Sequence, residues 1–311
     1  MNPSKTSIDW AGFRTKSNPF EIFESLKPAF GTCAEMLTMV SSEKGRDGWQ
    51  YGKDLMMVDV RLGTIDYGGD AQRDWVRVNL TGTGCEWVQD WLAFKGLGEV
   101  LKSAEVRRAD IALTTYNGEV TDAMIVQAKA DGRFTTSGRA PDMRSITSDN
   151  LRAGKTRYIG SRAKSDKMLR CYEKGFEMIK DLPEVERNKI TKIGEDDIES
   201  IYRVELELKA VTKFIPWSVF TDRDEVFAGA YPFCSDLLPG VPHRVLQTLP
   251  DFKPRSDLQA MLANCKASYG PTIFTAMAFY NGDAAKVLAM IMGTDHARGL
   301  VESGVLTIEP N

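Results

Sequence analysis

Apolar and polar residues alternate with a period of two in several short stretches of this chain and with a helical period in others. Strict alternation in RDWVRVNLTG (73–82) predicts a half-buried strand, and SIDWAGF (7–13) and VRRADIALTTYNG (106–118) predict two more, the latter ending in an Asn-Gly turn. LMMVDVRLG (55–63) reads as a strand before the turn DYGGD. Helices are predicted for FEIFESLKPAF behind the Asn18-Pro19 start signal and for CEWVQDWLAFKGLGEVLKSA, where Trp87, Trp91 and Leu97 recur as core positions. A third covers EVTDAMIVQAKADG, closed by Gly132. Three short strands are expected next (RFTTS, RYIGSR and KMLRCYEKG), then an acidic helical segment over 181–199 and the strand ESIYRVELELKA. Past Val211 the chain turns proline-rich, and from Ser256 onward it reads as helices. The expected architecture is α+β: an antiparallel-rich central sheet with helices on one face, plus a helical C-terminal subdomain, divided as 1–215 and 216–311. The similar openings SIDWAGF and RRADIAL hint at a duplicated unit.

Composition narrows the function classes. No apolar run among the 311 residues approaches the roughly 20 needed to span a membrane. The N-terminus lacks a signal-peptide core, so a cytoplasmic protein without membrane contact is expected. Five scattered cysteines, none in CxxC spacing, argue for reduced thiols and against zinc or disulfides. Net charge is −3, but between Gly138 and Lys174 ten basic residues face four acids. A basic face on an acidic body suits a phosphate backbone, although a solvated charged surface gives the same pattern. Candidate DNA contacts are Arg139, Arg144, Lys155, Arg157, Arg162, Lys164 and Lys167. With only His243 and His296 available, a metal site must be built mainly from oxygen ligands, which favours Mg²⁺ or Mn²⁺.

Three groups of residues could carry chemistry. In YRVELELKA, period two puts Arg203, Glu205, Glu207 and Lys209 on one face: either an alternating charged surface or a pair of metal ligands with flanking cations. Asp110 interrupts the apolar RADIAL and needs a partner, either a metal or a salt bridge to Arg107 or Arg108. Asp9 raises the same question. Tyr172 in LRCYEKG has Arg170 and Lys174 beside it, which could favour phenolate and offset charge on an attacked phosphate. Tyr158 and Tyr202 compete with it as nucleophile.

Together, RRADIAL, TRYIGSR, KMLRCYEKG, YRVELELK and FAGAYPFC resemble the replication initiation factors of rolling-circle plasmids and filamentous phages (Rep_trans), nearest to the phage branch through FAGAYP. The resemblance spans roughly residues 7–240. It implies a Rep fold distantly related to the HUH nucleases but lacking their histidines, with origin-specific nicking and closing activity. On that pattern Tyr172 is the nucleophile, Asp110, Glu205 and Glu207 hold the metal, and Arg170 and Lys174 flank the scissile phosphate. The implied partners are origin DNA with an exposed single strand, a host helicase and polymerase, and a second copy of the chain in a homodimer. One departure stands out: family members commonly read D-x-x-x-D-D where this chain has Asp110 followed by Thr114-Thr115. That departure motivates a non-catalytic, sequence-specific DNA-binding protein as the alternative, with an RNA phosphodiesterase as a more distant one.

Overall fold

The computed structural model describes residues 5–163, 165–247 and 258–294. By its contacts the chain forms two units, Met1–Thr248 and Leu249–Asn311. Residues 216–247, which the sequence assigns to the second part, fall within the first unit.

The first unit opens with β1 (Ser7–Thr15) and α1 (Pro19–Leu26). Asn18 starts that helix through a capping box: its side chain accepts from the N–H groups of Phe20 and Glu21, while the Glu21 carboxylate accepts from the Asn18 N–H. β2 (Leu37–Ser42), β3 (Tyr51–Met57), β4 (Val60–Tyr67) and β5 (Val76–Leu80) follow as a meander. Then come α2 (Gly82–Glu86), α3 (Trp91–Val100), β6 (Glu105–Thr115) and α4 (Asp122–Ala130). β7 (Met143–Ile146), β8 (Thr156–Ile159), β9 (Lys167–Tyr172), α5 (Lys174–Met178) and α6 (Glu184–Arg187) continue the chain. A small hairpin of β10 (Lys192–Ile193) and β11 (Asp196–Asp197) precedes β12 (Tyr202–Lys209), and α7 (Arg223–Ala228) and α8 (Pro232–Leu237) close the series.

Ten strands form one antiparallel sheet in the order β2-β3-β4-β5-β1-β6-β12-β9-β8-β7. The two halves repeat one topology. Each starts with a central strand and a helix, then runs a meander whose last strand returns beside the first: β5 against β1, and β12 against β6. Alternation decides which face is which. Ala109, Ile111 and Leu113 of β6 and Val204, Leu206 and Leu208 of β12 join Ile22, Leu26, Phe94, Leu97 and Ile125 of the helices in a single core. Trp91 packs on Phe94 and Phe220 at ring distances of 5.1 and 5.6 Å, the core role expected of it. The other face carries the charged residues.

Several elements differ from the sequence reading. LMMVDVRLG is not one strand but the crossing of a hairpin, turned by Val58 at φ 54°. β2 went unrecognised within its polar surroundings. RFTTS is a turn that buries Phe134 against Phe233, and the neighbouring strand is Met143–Ile146. The predicted helix Cys85–Ala104 is two, because Asp90 caps a new start by accepting from Leu92 and Ala93 N–H. The acidic segment 181–199 is not one helix but holds the four-residue α6, the β10–β11 hairpin and the start of a 3-10 turn at Ile198–Ser200.

In the second unit, α9 (Leu258–Phe279) runs through Pro271, joining two of the predicted helices, and α10 (Ala284–Ile291) follows. The predicted helical tail past residue 294 lies outside the described residues. No helix among the described residues is long and apolar enough to cross a membrane.

Candidate active site

The open face at the middle of the sheet is assembled by strand register. β12 sets Glu207 opposite Asp110 of β6, Glu205 opposite Arg170 of β9, and Arg203 opposite Tyr172. Residues directly opposed in an antiparallel pair point to the same side, so the three acids, the tyrosine and Arg170 share one face. β1 adds Asp9: its pairing with β6 slips between Ile8 and Trp10, and the bulge at Asp9 lets the carboxylate reach Arg203 Nη1 at 2.8 Å.

Asp110, Glu205 and Glu207 are buried, at 2–4% exposure, although they lie on the polar face. The cover is a layer of cations. Arg108 bridges Asp110 (2.5 Å) and Glu207 (2.9 Å), and stacks over Trp10 at 4.6 Å. Lys209 Nζ lies 2.8 Å and Arg162 Nε 3.4 Å from Glu207. Of the two partners considered for Asp110, a metal or an arginine, the structure shows Arg108. Glu205 is the exception. Its Oε2 is buried without a hydrogen bond among the described residues, with Arg170 Nη1 at 3.6 Å. Burial raises its carboxyl to about 7, with Asp9 adding to the rise and Arg170 opposing it. Burial likewise lifts Asp110 to about 6, against the hydrogen-bonded Arg108.

Tyr172 is 4% exposed. The Arg170 guanidinium lies 4.2 Å from its ring centroid. Burial pushes the phenol well up; Arg203 and Arg170 pull it back while Glu205 and Asp9 oppose them. Lys174, expected to flank the same hydroxyl, is held by Glu177 at 2.5 Å and sits 5.9 Å from the Tyr172 ring. Gly175 of the YEKG turn is needed for closeness: a Cβ there would stand 2.0 Å from the Ile198 carbonyl oxygen. Tyr202 belongs to the core face, whereas Tyr158 stands opposite Arg170 on the open face. Thr114, where an acid is common, accepts a 2.9 Å hydrogen bond from Arg203 Nε.

The candidate DNA contacts separate. Arg144 lies opposite Tyr158 on the open face, and Arg162 reaches into the site. Arg139 is exposed and paired with Asp142, and Lys155 is exposed at the start of β8. Arg157 points to the helix-covered face, where Asp122 binds it at 2.7 Å. Lys167 also turns to that side, its Nζ on the Ala230 carbonyl and 4.1 Å from the Tyr231 ring centroid. Neither meets the open face. Lys164 lies outside the described residues. The Asp9–Arg203 pair and Arg108 enter the site without having been assigned to it. Period two had already put Arg203 on the right face, but no sequence signal places the bulge that admits Asp9.

The donor chemistry suits a hard divalent cation: three carboxylates on one face, one with an oxygen lacking a hydrogen bond. The geometry is closed, however. Arg108 fills the space between Asp110 and Glu207, and no group of three or more acid, His or Cys side chains among the described residues converges closely enough to hold a metal.

No curated protein matches the chain. The rolling circle replication initiator protein from Geobacillus stearothermophilus has a similar structure, with a TM-score of 0.52 at 19% sequence identity, covering 72% of this chain and 83% of that one. The family model described as replication initiation factor matches residues 104–245, which contain β6, β9, β12 and the FAGAYPFC segment. The chain thus has the mixed sheet-and-helix fold of that rolling-circle initiator, and its residues 104–245 are similar to the replication initiation factor family.

Proposed function

We propose that the protein initiates rolling-circle DNA replication by nicking one strand of an origin through Tyr172 and later rejoining it. The observation that carries this reading is the convergence of Tyr172, Arg170, Arg203 and three buried acids on the open face of one sheet. The Tyr172 oxygen attacks phosphorus in line. The bond from phosphorus to the 3′ oxygen breaks, the phenol loses its proton, and the 3′ oxygen gains one. A 5′-phosphotyrosyl link and a free 3′-OH remain, the latter a primer for a host polymerase working with a helicase. Arg170 and Arg203 lower the cost of phenolate and offset charge on the attacked phosphate. With Arg108 displaced from the acid pair, Asp110, Glu205 and Glu207 would be the groups to hold Mg²⁺ or Mn²⁺, whose chemistry there would be to polarise phosphate oxygens. Lys174 has a lesser part here, since Glu177 already neutralises it.

Tyr172→Phe is expected to abolish covalent adducts with origin DNA while changing binding by less than about twofold. Tyr158→Phe should leave adducts intact. Gel analysis of supercoiled origin plasmid with Mn²⁺ and mass spectrometry of the peptide–oligonucleotide check both; an adduct formed by Tyr172→Phe overturns the assignment.

A second reading, a DNA-binding regulator of the same fold, has its own support: Tyr172 is almost fully covered and Arg108 occupies the acid pair. Protein that fully shifts origin DNA yet yields no open circles would favour it.

A further inference from the structure

The FAGAYPFC segment takes no part in the open-face site. It builds one wall of a separate hollow of about 350 Å³ behind the sheet, lined also by Phe134, Leu208 and Leu246. Gly229 makes the wall possible, because a Cβ there would meet the Arg244 carbonyl oxygen at 2.4 Å. The charge in this hollow is unbalanced. Arg244 is neutralised by Asp222 and Glu225, at 2.6 and 3.0 Å. Asp166, the acid of the lining, is occupied elsewhere: it accepts from the N–H groups of Val211, Thr212 and Lys213 and from the Thr212 hydroxyl.

Two lysines are left without a carboxylate among the described residues. Lys167 donates to the Ala230 carbonyl and, at 3.3 Å, to Thr136 Oγ1; Lys213 donates to the Leu246 carbonyl at 3.1 Å. Burial, and then the charge of Lys213, lower Lys167 to about 8. Two neighbouring cations against neutral carbonyls and hydroxyls are unfavourable unless an anion joins them. The volume falls in the range of small-ligand sites, and Thr136, Ser137 and Ser165 add hydroxyl donors to the lining.

A second hollow, of about 780 Å³, lies on the open-face side around Arg144, Tyr158 and Arg162. Arg139, Pro141, Gly160 and Ser165 line both hollows, so the two share part of their rim.

We propose that the hollow behind the sheet is a phosphate-binding site, occupied by the phosphate group of a nucleotide and held by Lys167 and Lys213. That phosphate comes either from a free nucleotide or from a strand passing over the rim from the cleft. The second source rests on the nicking reading above; the first does not.

The test is titration calorimetry on full-length Tyr172→Phe protein, with inorganic phosphate, thymidine 5′-monophosphate and a short oligothymidylate as separate probes. One-to-one uptake of the monophosphate is expected. Lys213→Gln should weaken it about tenfold or more, as loss of a charged hydrogen bond does, and Lys213→Arg should restore it to within about threefold. If oligothymidylate affinity falls in parallel, a strand phosphate is the ligand; if it is unchanged while monophosphate binding falls, a free nucleotide is. Should Lys213→Gln fail to fold, the unaltered protein still gives a reading: phosphate should raise its melting temperature more than chloride at equal ionic strength. No uptake of any probe, or identical titrations by parent and Lys213→Gln, overturns the proposal. Nicking of supercoiled DNA by the unaltered protein reports the cleft separately, so the two readings fail independently.

Discussion

Glu205 is a carboxylate buried with one oxygen lacking a hydrogen bond among the described residues, far from its chemistry in water. Its carboxyl, ordinarily near 4.5, is raised to about 7 by burial, so the folded protein binds that proton more tightly than the unfolded chain does. Its effect on stability is therefore least harmful below about pH 4.5, and stability declines as pH climbs from there to about 7. Without divalent metal, Glu205→Gln should stabilise the protein at pH 8 by a few kcal/mol at most, with the gain disappearing near pH 4. Urea melts across that range check the sign; a gain that grows as pH falls contradicts it. Thr114 is the instructive neighbour. As a departure from the family pattern it reads as a lost acid, yet its hydroxyl holds Arg203, which in turn meets Asp9. A missing charge in the sequence became an orienting contact in the fold.

At the scale of elements, the junction of β9 and α5 sets how Tyr172 meets β12. Gly175→Ala should place its methyl against the Ile198 carbonyl and destabilise the protein by about 1–3 kcal/mol, as overpacking typically does. Denaturant unfolding reads that loss, and nicking should fall with it because the strand end carries the tyrosine. Across β6 and β12, Arg108 ties two acids together. Arg108→Gln should raise Mn²⁺ affinity several-fold, measured by calorimetry or by the spin signal of free Mn²⁺, since the competing cation is gone. Unchanged or weaker affinity would mean the arginine organises the site rather than closing it. The strands β1, β5, β6, β9 and β12 were legible because one face is buried and period two shows plainly. The β3–β4 hairpin was not: its turn is Val58-Asp59, without glycine or Asn-Gly, so the local signal of a reversal is missing.

For the whole molecule, the repeated topology puts the two opening strands, β1 and β6, side by side at the centre of the sheet. The sequence hinted at duplication through two short segments, and the sheet order repeats it across five strands in each half. The basic segment 138–174, by contrast, is split by the sheet. Arg157 and Lys167 face away from the cleft, while Arg139, Arg144, Lys155 and Arg162 remain available to a phosphate backbone. About four phosphate contacts predict a slope of about −3 to −4 in log affinity against log salt, and six, with Arg157 and Lys167 added, would give about −5. Fluorescence anisotropy over a salt series separates these values, and the steeper slope would return the two covered residues to the interface.

Local pattern was enough to assign the central strands, the face shared by Glu205 and Glu207, and the family motifs. Each is a property of residues a few positions apart, and alternation or composition records it directly. Tertiary structure alone decided that Arg108 bridges the acid pair, that a bulge admits Asp9, that Arg157 and Lys167 leave the cleft, and that FAGAYPFC walls a second cationic hollow. Those outcomes depend on register between strands distant in the chain and on burial, and a linear sequence carries no measure of either.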